Sequence, residues 1–428
     1  MFSDDYAPDC YWTRDAPLPQ VAADPLPAAA DVVVVGGGYT GLAAARETAL
    51  AGRSTLVLDA ADIGAGCSAR NGGQVSPSIK PCHATLTARH GERIATRIHA
   101  EALEAIADLE ALVRDGSLAC DWREVGCFVG AHTRRLYGAL LREAETQPQG
   151  LAVPFEAVPR ERLPEALDSP LYHGGVIYPR DAAVHPVLLV RALHARALAV
   201  GARFSSHCTV QGLARTPAGF EVLTNRGTVR ARQVLIATNG YTGGFAPWHR
   251  RRIVPIGSYI IATEPLGAAL VRKLIPHGRN VGDTRRVIVY FRPSPDGRRI
   301  LFGGRAAAAE TDVGRCVPRL RNMLVEIFPQ LADVRVSHAW MGYVAYTFDT
   351  LPHLGERDGL FHCMGYCGQG IPSATYYGRK IGLTMAGRSG GETALAGLPF
   401  PGRPFYSGNP WFLPAAVLGY RLCDALGV

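Results

Sequence analysis

Residues 31–41 read Asp-Val-Val-Val-Val-Gly-Gly-Gly-Tyr-Thr-Gly, a run of four valines that passes directly into Gly36-x-Gly38-x-x-Gly41 and then a helical stretch over 42–51. Few sequences constrain a fold so tightly. Four consecutive β-branched residues predict a strand buried on both faces, as in a parallel sheet. Gly36 permits the turn out of the strand, Gly38 admits a pyrophosphate to the backbone, and Gly41 lets the helix pack close to the sheet. The helix N-terminus then faces the phosphates with its free N–H groups and positive dipole end. After the turn Gly52-Arg53, a second apolar strand over 54–58 closes the βαβ unit and ends at Asp59. An acid there binds ribose hydroxyls and repels a 2′-phosphate, which disfavours NADP and leaves NAD and FAD.

At 428 residues the chain is long enough for two domains with substantial cores, and 47% hydrophobic with 19% charged residues fits an ordinary globular protein. The net charge of +8 does not point to nucleic acid. Lysine occurs only at Lys80, Lys273 and Lys380, the arginines are scattered among acids, and the densest basic cluster, at 249–252, is short. The ten cysteines contain no C-x-x-C pair, which predicts neither a zinc nor a disulfide framework and fits a reducing cytoplasm. The acidic start Met1-Phe2-Ser3-Asp4-Asp5 lacks the apolar core of a signal peptide, and no 18-residue apolar run predicts a membrane span. No metal-binding pattern, Ser/His/Asp triad signature or P-loop is present.

Along the chain, residues 1–30 read as an irregular lead-in. A glycine-rich polar segment over 63–74 reads as a functional loop. Helices are expected over 86–114, 133–147 and 186–199, with strands over 203–210, 219–224, 227–231 and 234–241. Strand-rich sequence covers 253–263 and 287–304, and a third glycine-rich region over 364–370 precedes a helix over 373–386. These patterns predict an α/β (mixed α+β) chain with a Rossmann-type domain assembled from 31–90, 180–252 and 335–395. A largely antiparallel-sheet domain over 91–179 and 253–334 is inserted into it, and 396–428 packs on the first domain.

Five stretches together resemble the D-amino-acid oxidase and glycine oxidase superfamily of FAD-dependent oxidoreductases. They are Gly36 to Leu42, Ser68 to Gln74, Ile236 to Thr242, Ser258 to Leu266 and Gly365 to Gly370, and the resemblance spans nearly the whole chain. Within that superfamily the chain is most similar to the branch of bacterial gamma-glutamylputrescine oxidoreductases, with the closing Pro401-Gly402-Arg403-Pro404-Phe405 and Pro410-Trp411-Phe412-Leu413-Pro414 also familial.

The resemblance implies non-covalent FAD held by Gly36, Gly38, Tyr39, Thr40, Gly41 and Asp59. It adds Ser68, Arg70, Asn71, Gly73 and Gln74 along the pyrophosphate and ribityl chain, with Gln74 reaching the flavin edge. Val210, which alone reads as core, would offer its backbone to the adenine, and Thr238 and Gly240 would approach the nucleotide from the other side. Gly365, Gly368, Gln369, Gly370 and Ile371 would set N–H groups and a helix dipole near flavin N1. Cys367 and Gln369 stand where relatives commonly carry serine and histidine, so backbone donation survives but a charge role for that histidine does not.

The implied reaction oxidises a CH–NH bond of an amine or amino acid, a secondary amine or polyamine conjugate being favoured. Hydride passes to flavin N5, the imine is hydrolysed, and oxygen is the expected electron acceptor. Gln74, Tyr259, Arg292 and Gln369 are the candidate catalytic residues, with Tyr259 and Tyr290-Phe291-Arg292 expected on the substrate side, Arg292 or Arg305 able to pair with a substrate carboxylate and Trp340 and Tyr343 able to form an aromatic wall. His185 and His353 read as structural. Two other readings are an NAD-dependent dehydrogenase, which has no need of the segments 64–74 and 365–370, and a non-catalytic flavin-binding subunit.

Overall fold

The computed structural model describes every residue except Ala23, Ser78, Ala308 and Val428. The valine run is the strand Ala29–Val35, paired in parallel with Thr55–Leu58 on one side and Gly227–Ile236 on the other. Arg203–Ser205 extends this parallel sheet at one end and Leu360–Met364 at the other. The two faces of the valine strand feed different cores. Val32 and Val34 pack with Leu42, Leu189 and Ile381 of the covering helices, whereas Val33 and Val35 pack with Val222 and Val229 of the meander formed by Val210–Thr216, Gly219–Thr224 and Gly227–Ile236. Burying each valine contributes about 1.5–3 kcal/mol, so both parities of the run are fixed. The helices Tyr39–Leu50, Pro186–Ala199 and Gly370–Ala386 lie on the first face.

The second unit is a nine-stranded sheet in which two joins are parallel, Phe2–Ala7 with Val336–Thr347 and Asn280–Asp283 with Cys127–Gly130, and the others are antiparallel. The fold is therefore the expected mixed α/β architecture, a Rossmann-type sheet beside a largely antiparallel one.

Four boundaries differ from the sequence expectation. Residues 1–30 are not wholly irregular, because Phe2–Ala7 is an edge strand and the helix Tyr11–Asp15 inserts the fully buried Trp12 beneath the glycine-rich loop. The segment 335–395 does not begin in the Rossmann unit, since Val336–Thr347 pairs with Ile253–Thr263 in the large sheet. Helix Glu92–Arg114 packs on the Rossmann side through Ala95, Ile98, Ala105 and Leu109, and its buried Glu101 accepts from Thr393 Oγ1 (2.6 Å) and Ala394 N–H (2.7 Å). The helix Leu413–Leu426 joins the large sheet instead of the Rossmann unit: Asp424 accepts from the N–H groups of Arg286 (2.7 Å) and Val287 (3.0 Å). In each case a non-local partner decided the placement, which local composition does not encode.

A cluster of rings packs at the edge of the Rossmann sheet, with His249 and His362 rings 4.9 Å apart and Phe400 stacked on His353 at 4.1 Å. Burial, then the positive charges of Arg252 and Arg357, push His249 down to about 4. Burial and the neighbouring His249 push His362 down to about 3. The unfolded chain takes up these protons near pH ~6.5, so their contribution is complete above that value and is lost as pH falls toward the folded values. Each histidine then costs about 1.4 kcal/mol per pH unit in that window. The urea midpoint is expected to drop steeply between about pH 6.5 and about pH 4.5, and the uncharged His362→Gln variant to show a shallower drop.

Candidate functional site

One cavity of about 1340 Å³ runs between the two units, larger than the roughly 300–1,000 Å³ of an ordinary small-molecule pocket. At the Rossmann end Gly36 holds φ +105° and donates its N–H to Leu58 O (2.8 Å); a Cβ there would sit 2.8 Å from Ala237 O. Asp59 ends the next strand and is half-buried, its carboxylate accepting from the N–H groups of Gly37 (2.8 Å) and Ala61 (3.0 Å). Burial raises the Asp59 carboxyl pKa, opposed by those two N–H groups. An acceptor placed this way suits a ribose hydroxyl. The first turn of helix Tyr39–Leu50 opens on the same cavity through Tyr39 and Thr40, with Ser68 Oγ accepting the Tyr39 N–H (3.1 Å).

The segment expected as an irregular loop contains a short helix, Cys67–Arg70. Asn71 makes it rigid: its Nδ2 donates to Ser68 O (2.8 Å) and Cys67 O (3.1 Å), while its Oδ1 accepts from Gly73 N–H (2.9 Å). Two indoles hold the loop from outside, Trp12 Nε1 donating to Asn71 O (2.8 Å) and Trp340 Nε1 to Arg70 O (3.0 Å). Gln74 crosses to the large sheet and donates to Phe291 O (2.9 Å). These clamps hold the loop in one conformation beside the cavity, which Ser68, Arg70, Asn71 and Gly72 line.

Opposite, Cys367 holds φ +53° and turns the chain into helix Gly370–Ala386, so Gly368, Gln369, Gly370 and Ile371 line the cavity at a helix N-terminus. The helix begins three residues earlier than its apolar pattern suggests. Tyr366 anchors the turn, its hydroxyl 2.6 Å from Thr40 Oγ1 and 3.2 Å from Cys363 Sγ. Burial pushes the Cys363 thiol up to about 12 and raises that of Cys367. Both shifts disfavour the thiolate that covalent attachment would need. Acid precipitation of the loaded protein is expected to leave all flavin in the supernatant.

Of the residues singled out from sequence, Gly36, Gly38, Tyr39, Thr40, Asp59, Ser68, Arg70, Asn71, Gln74, Val210, Thr238, Gly368, Gln369, Gly370 and Ile371 meet in this cavity. Four glycines stand behind its wall. Gly41 packs under the turn, Gly73 is tied to Arg292 and Asn71, Gly240 lies against Tyr343, and Gly365 donates its N–H to Asn239 Oδ1 (2.9 Å).

Tyr259 and Arg292 do not reach the cavity. The fully buried Tyr259 donates to Glu310 Oε2 (3.0 Å) from the far face of its strand, and buried Arg292 donates Nη1 to Gly73 O (3.0 Å) and Val184 O (2.9 Å). Arg305 does line it, held by Gly257 O (2.7 Å) and Glu310 (2.7 Å). Trp340 and Tyr343 form no wall of the cavity; that place is taken by Tyr290, bonded to Ser258 Oγ (2.9 Å), and by Tyr346. His185 accepts Leu188 N–H at the start of its helix (3.3 Å) and His353 pairs with Asp349 (3.0 Å). The sequence reading missed Tyr178 and Asp181, which have no motif around them.

The residues present fit FAD. Two helix N-termini, a strand-end carboxylate and a glycine turn open on one cavity large enough for a dinucleotide with a substrate beside it. No cluster of metal-ligating side chains occurs among the described residues.

The DAO family, described as FAD dependent oxidoreductase, matches residues 31–382. The chain is 30% identical over 404 residues to Gamma-glutamylputrescine oxidoreductase of Escherichia coli (strain K12), with 93% of each chain covered. It is 31% identical over 377 residues to Probable oxidoreductase OrdL of Rhizobium meliloti (strain 1021), covering 88% of this chain and 87% of that one. Among solved structures, glycine oxidase from Geobacillus kaustophilus superposes with a TM-score of 0.73 at 20% identity, covering 88% of this chain and 99% of the other. L-proline dehydrogenase from P. horikoshii gives 0.69 at 20% identity, covering 91% and 99%. With the matched family spanning the glycine turn, both cofactor loops and the large sheet, the chain belongs to the DAO family of FAD-dependent oxidoreductases.

Proposed function

We propose that this oxidoreductase acts on the carbon–nitrogen bond of an amine or amino acid, with a polyamine conjugate of the gamma-glutamylputrescine type as the favoured substrate. The observation that carries the reading is the continuity of the cavity, in which Ser258, Tyr290 and Arg305 of the large sheet share one space with Gln74 and the 368–371 turn. Relatives over nearly the full chain support it, since their names specify gamma-glutamylputrescine and glycine as substrates.

Bound FAD supplies the two-electron acceptor for this chemistry. The chain's own residues supply position and field. The Ser258–Tyr290 hydrogen bond fixes an aromatic face against the substrate. The N-terminus of helix Gly370–Ala386 favours negative charge developing beside it. No acid–base dyad is needed once the substrate amine is neutral, since its nitrogen lone pair then assists hydride loss from the adjacent carbon and water hydrolyses the resulting imine.

Oxygen is the proposed electron acceptor and the cytoplasm the proposed compartment. The ten cysteines, all free, favour reducing surroundings, and no helix among the described residues is long and apolar enough to cross a membrane. Turnover in air with a panel of polyamine conjugates and amino acids is expected to give a trappable carbonyl product and one peroxide per carbonyl. Carbonyl without peroxide would exclude oxygen as acceptor, and no carbonyl from any substrate would overturn the reading.

A further inference from the structure

The wall built by the strands Cys127–Gly130 and Gly174–Tyr178 contributes a carboxyl group that neither the fold nor the cofactor site accounts for. Asp181 follows the turn after Tyr178 and precedes Ala182–Ala183, which pair with Gln74–Val75; the register Val75↔Ala182 brings Asp181 opposite Ser76 in the same cavity. The residue is only 7% exposed, yet its carboxylate makes no hydrogen bond or ion pair with any described residue. Its backbone alone is engaged, through Gly126 N–H to Asp181 O (2.8 Å) and Asp181 N–H to Tyr178 O (3.3 Å). Buried carboxyl groups are normally partnered, and one that is not, while facing a cavity, is completed by what enters the cavity.

Its surroundings have the chemistry of a cation site. The Tyr178 ring lies on the same wall, within electrostatic reach of both Asp181 and Glu143, the latter on helix Arg134–Glu145. An aromatic ring and two carboxylates lining one cavity suit an alkylammonium group. The same cavity is also lined by Cys127, by His99 of helix Glu92–Arg114, by Lys80, and by Asp283 and Arg285 at the end of the strand Asn280–Asp283 that pairs with Cys127–Gly130; Asp181 itself is shifted by burial alone, up to about 7.

We infer that Asp181, with Tyr178 and Glu143, forms a recognition pole for a positively charged end of the substrate other than the C–N bond being oxidised. The pole selects diamine-type molecules over amines with neutral tails. This rests on the amine reading above, but its test needs no turnover.

The probe is butyltrimethylammonium, a permanent cation that cannot be oxidised at nitrogen, compared by calorimetry with its neutral carbon isostere on the FAD-loaded protein. The cation is expected to bind about tenfold or more tightly than the isostere. Its Kd should fall as pH rises from about 5.5 to about 8 and level off above, because the probe binds the ionised carboxylate. Asp181→Asn is expected to weaken the cation about ten- to hundredfold, leave the isostere unchanged and remove the pH dependence, while Glu143→Gln keeps that dependence. Equal affinity for cation and isostere in the unaltered protein overturns the inference, even if Asp181→Asn does not load FAD. So does equal cation affinity in unaltered and Asp181→Asn protein. Cation binding at the pole without flavin reduction by any amine would instead sink the amine reading and leave the pole standing.

Discussion

The Gly41→Ala protein is expected to purify without flavin colour. A Cβ at Gly41 would collide with Gly36 O and lie 3.0 Å from Val34 Cγ1, and both neighbours belong to the strand and turn that define the cofactor end. Backbone cannot yield there without pushing helix Tyr39–Leu50 off the valine strand. Overpacking of this kind costs roughly 2–4 kcal/mol, and because the turn moves, most of that loss appears in FAD affinity, about a hundredfold or more. Helix Leu413–Leu426 offers the control, since Gly419 has nothing within 4 Å of an added Cβ. Gly419→Ala is expected to keep full flavin content and to match or exceed the parent in stability. The ratio of visible flavin absorbance to protein absorbance, with and without added FAD, reads the difference directly.

Arg292→Leu is expected to destabilise the folded protein by roughly 3–5 kcal/mol, because it removes a charged donor from two buried carbonyls. Those carbonyls, Gly73 O and Val184 O, fasten the cofactor loop to the large sheet. Burial already pushes the guanidinium down to about 10, so its environment tolerates the charge only through these bonds. A substrate-binding arginine would give a different signature, raising KM for carboxylate-bearing substrates and sparing those without one. The clamp role predicts a large drop in the chemical-denaturation midpoint and no preference between the two substrate kinds.

These two residues also show what the sequence makes legible. Gly41 was readable because strand, turn, helix and acid lie within thirty residues and local periodicity fixes each. Tyr259 was misplaced for a reason of parity. Ser258 and Tyr259 point to opposite faces of one strand, and only the tertiary structure shows that the Ser258 face meets the cavity while Tyr259 joins Ile261 and Phe291 in the core under helix Val313–Ile327. Arg292 has the parity of the cavity-lining Tyr290 but lies one step too far along the strand, beneath Gly73. The Cys67–Arg70 helix was invisible because Asn71, Trp12 and Trp340 impose it from three separate places in the chain. Asp181 carries no local signal at all, since its isolation comes from what the fold leaves unpaired around it.

The central claim is that one cavity brings a substrate amine to FAD held by both units. Anaerobic mixing of the FAD-loaded protein with a saturating polyamine conjugate, followed through the visible flavin band, tests it most directly. The account predicts bleaching whose rate saturates with substrate concentration and whose colour returns on admitting air. A band that stays oxidised with every amine and amino acid, while dithionite bleaches it, would contradict the claim.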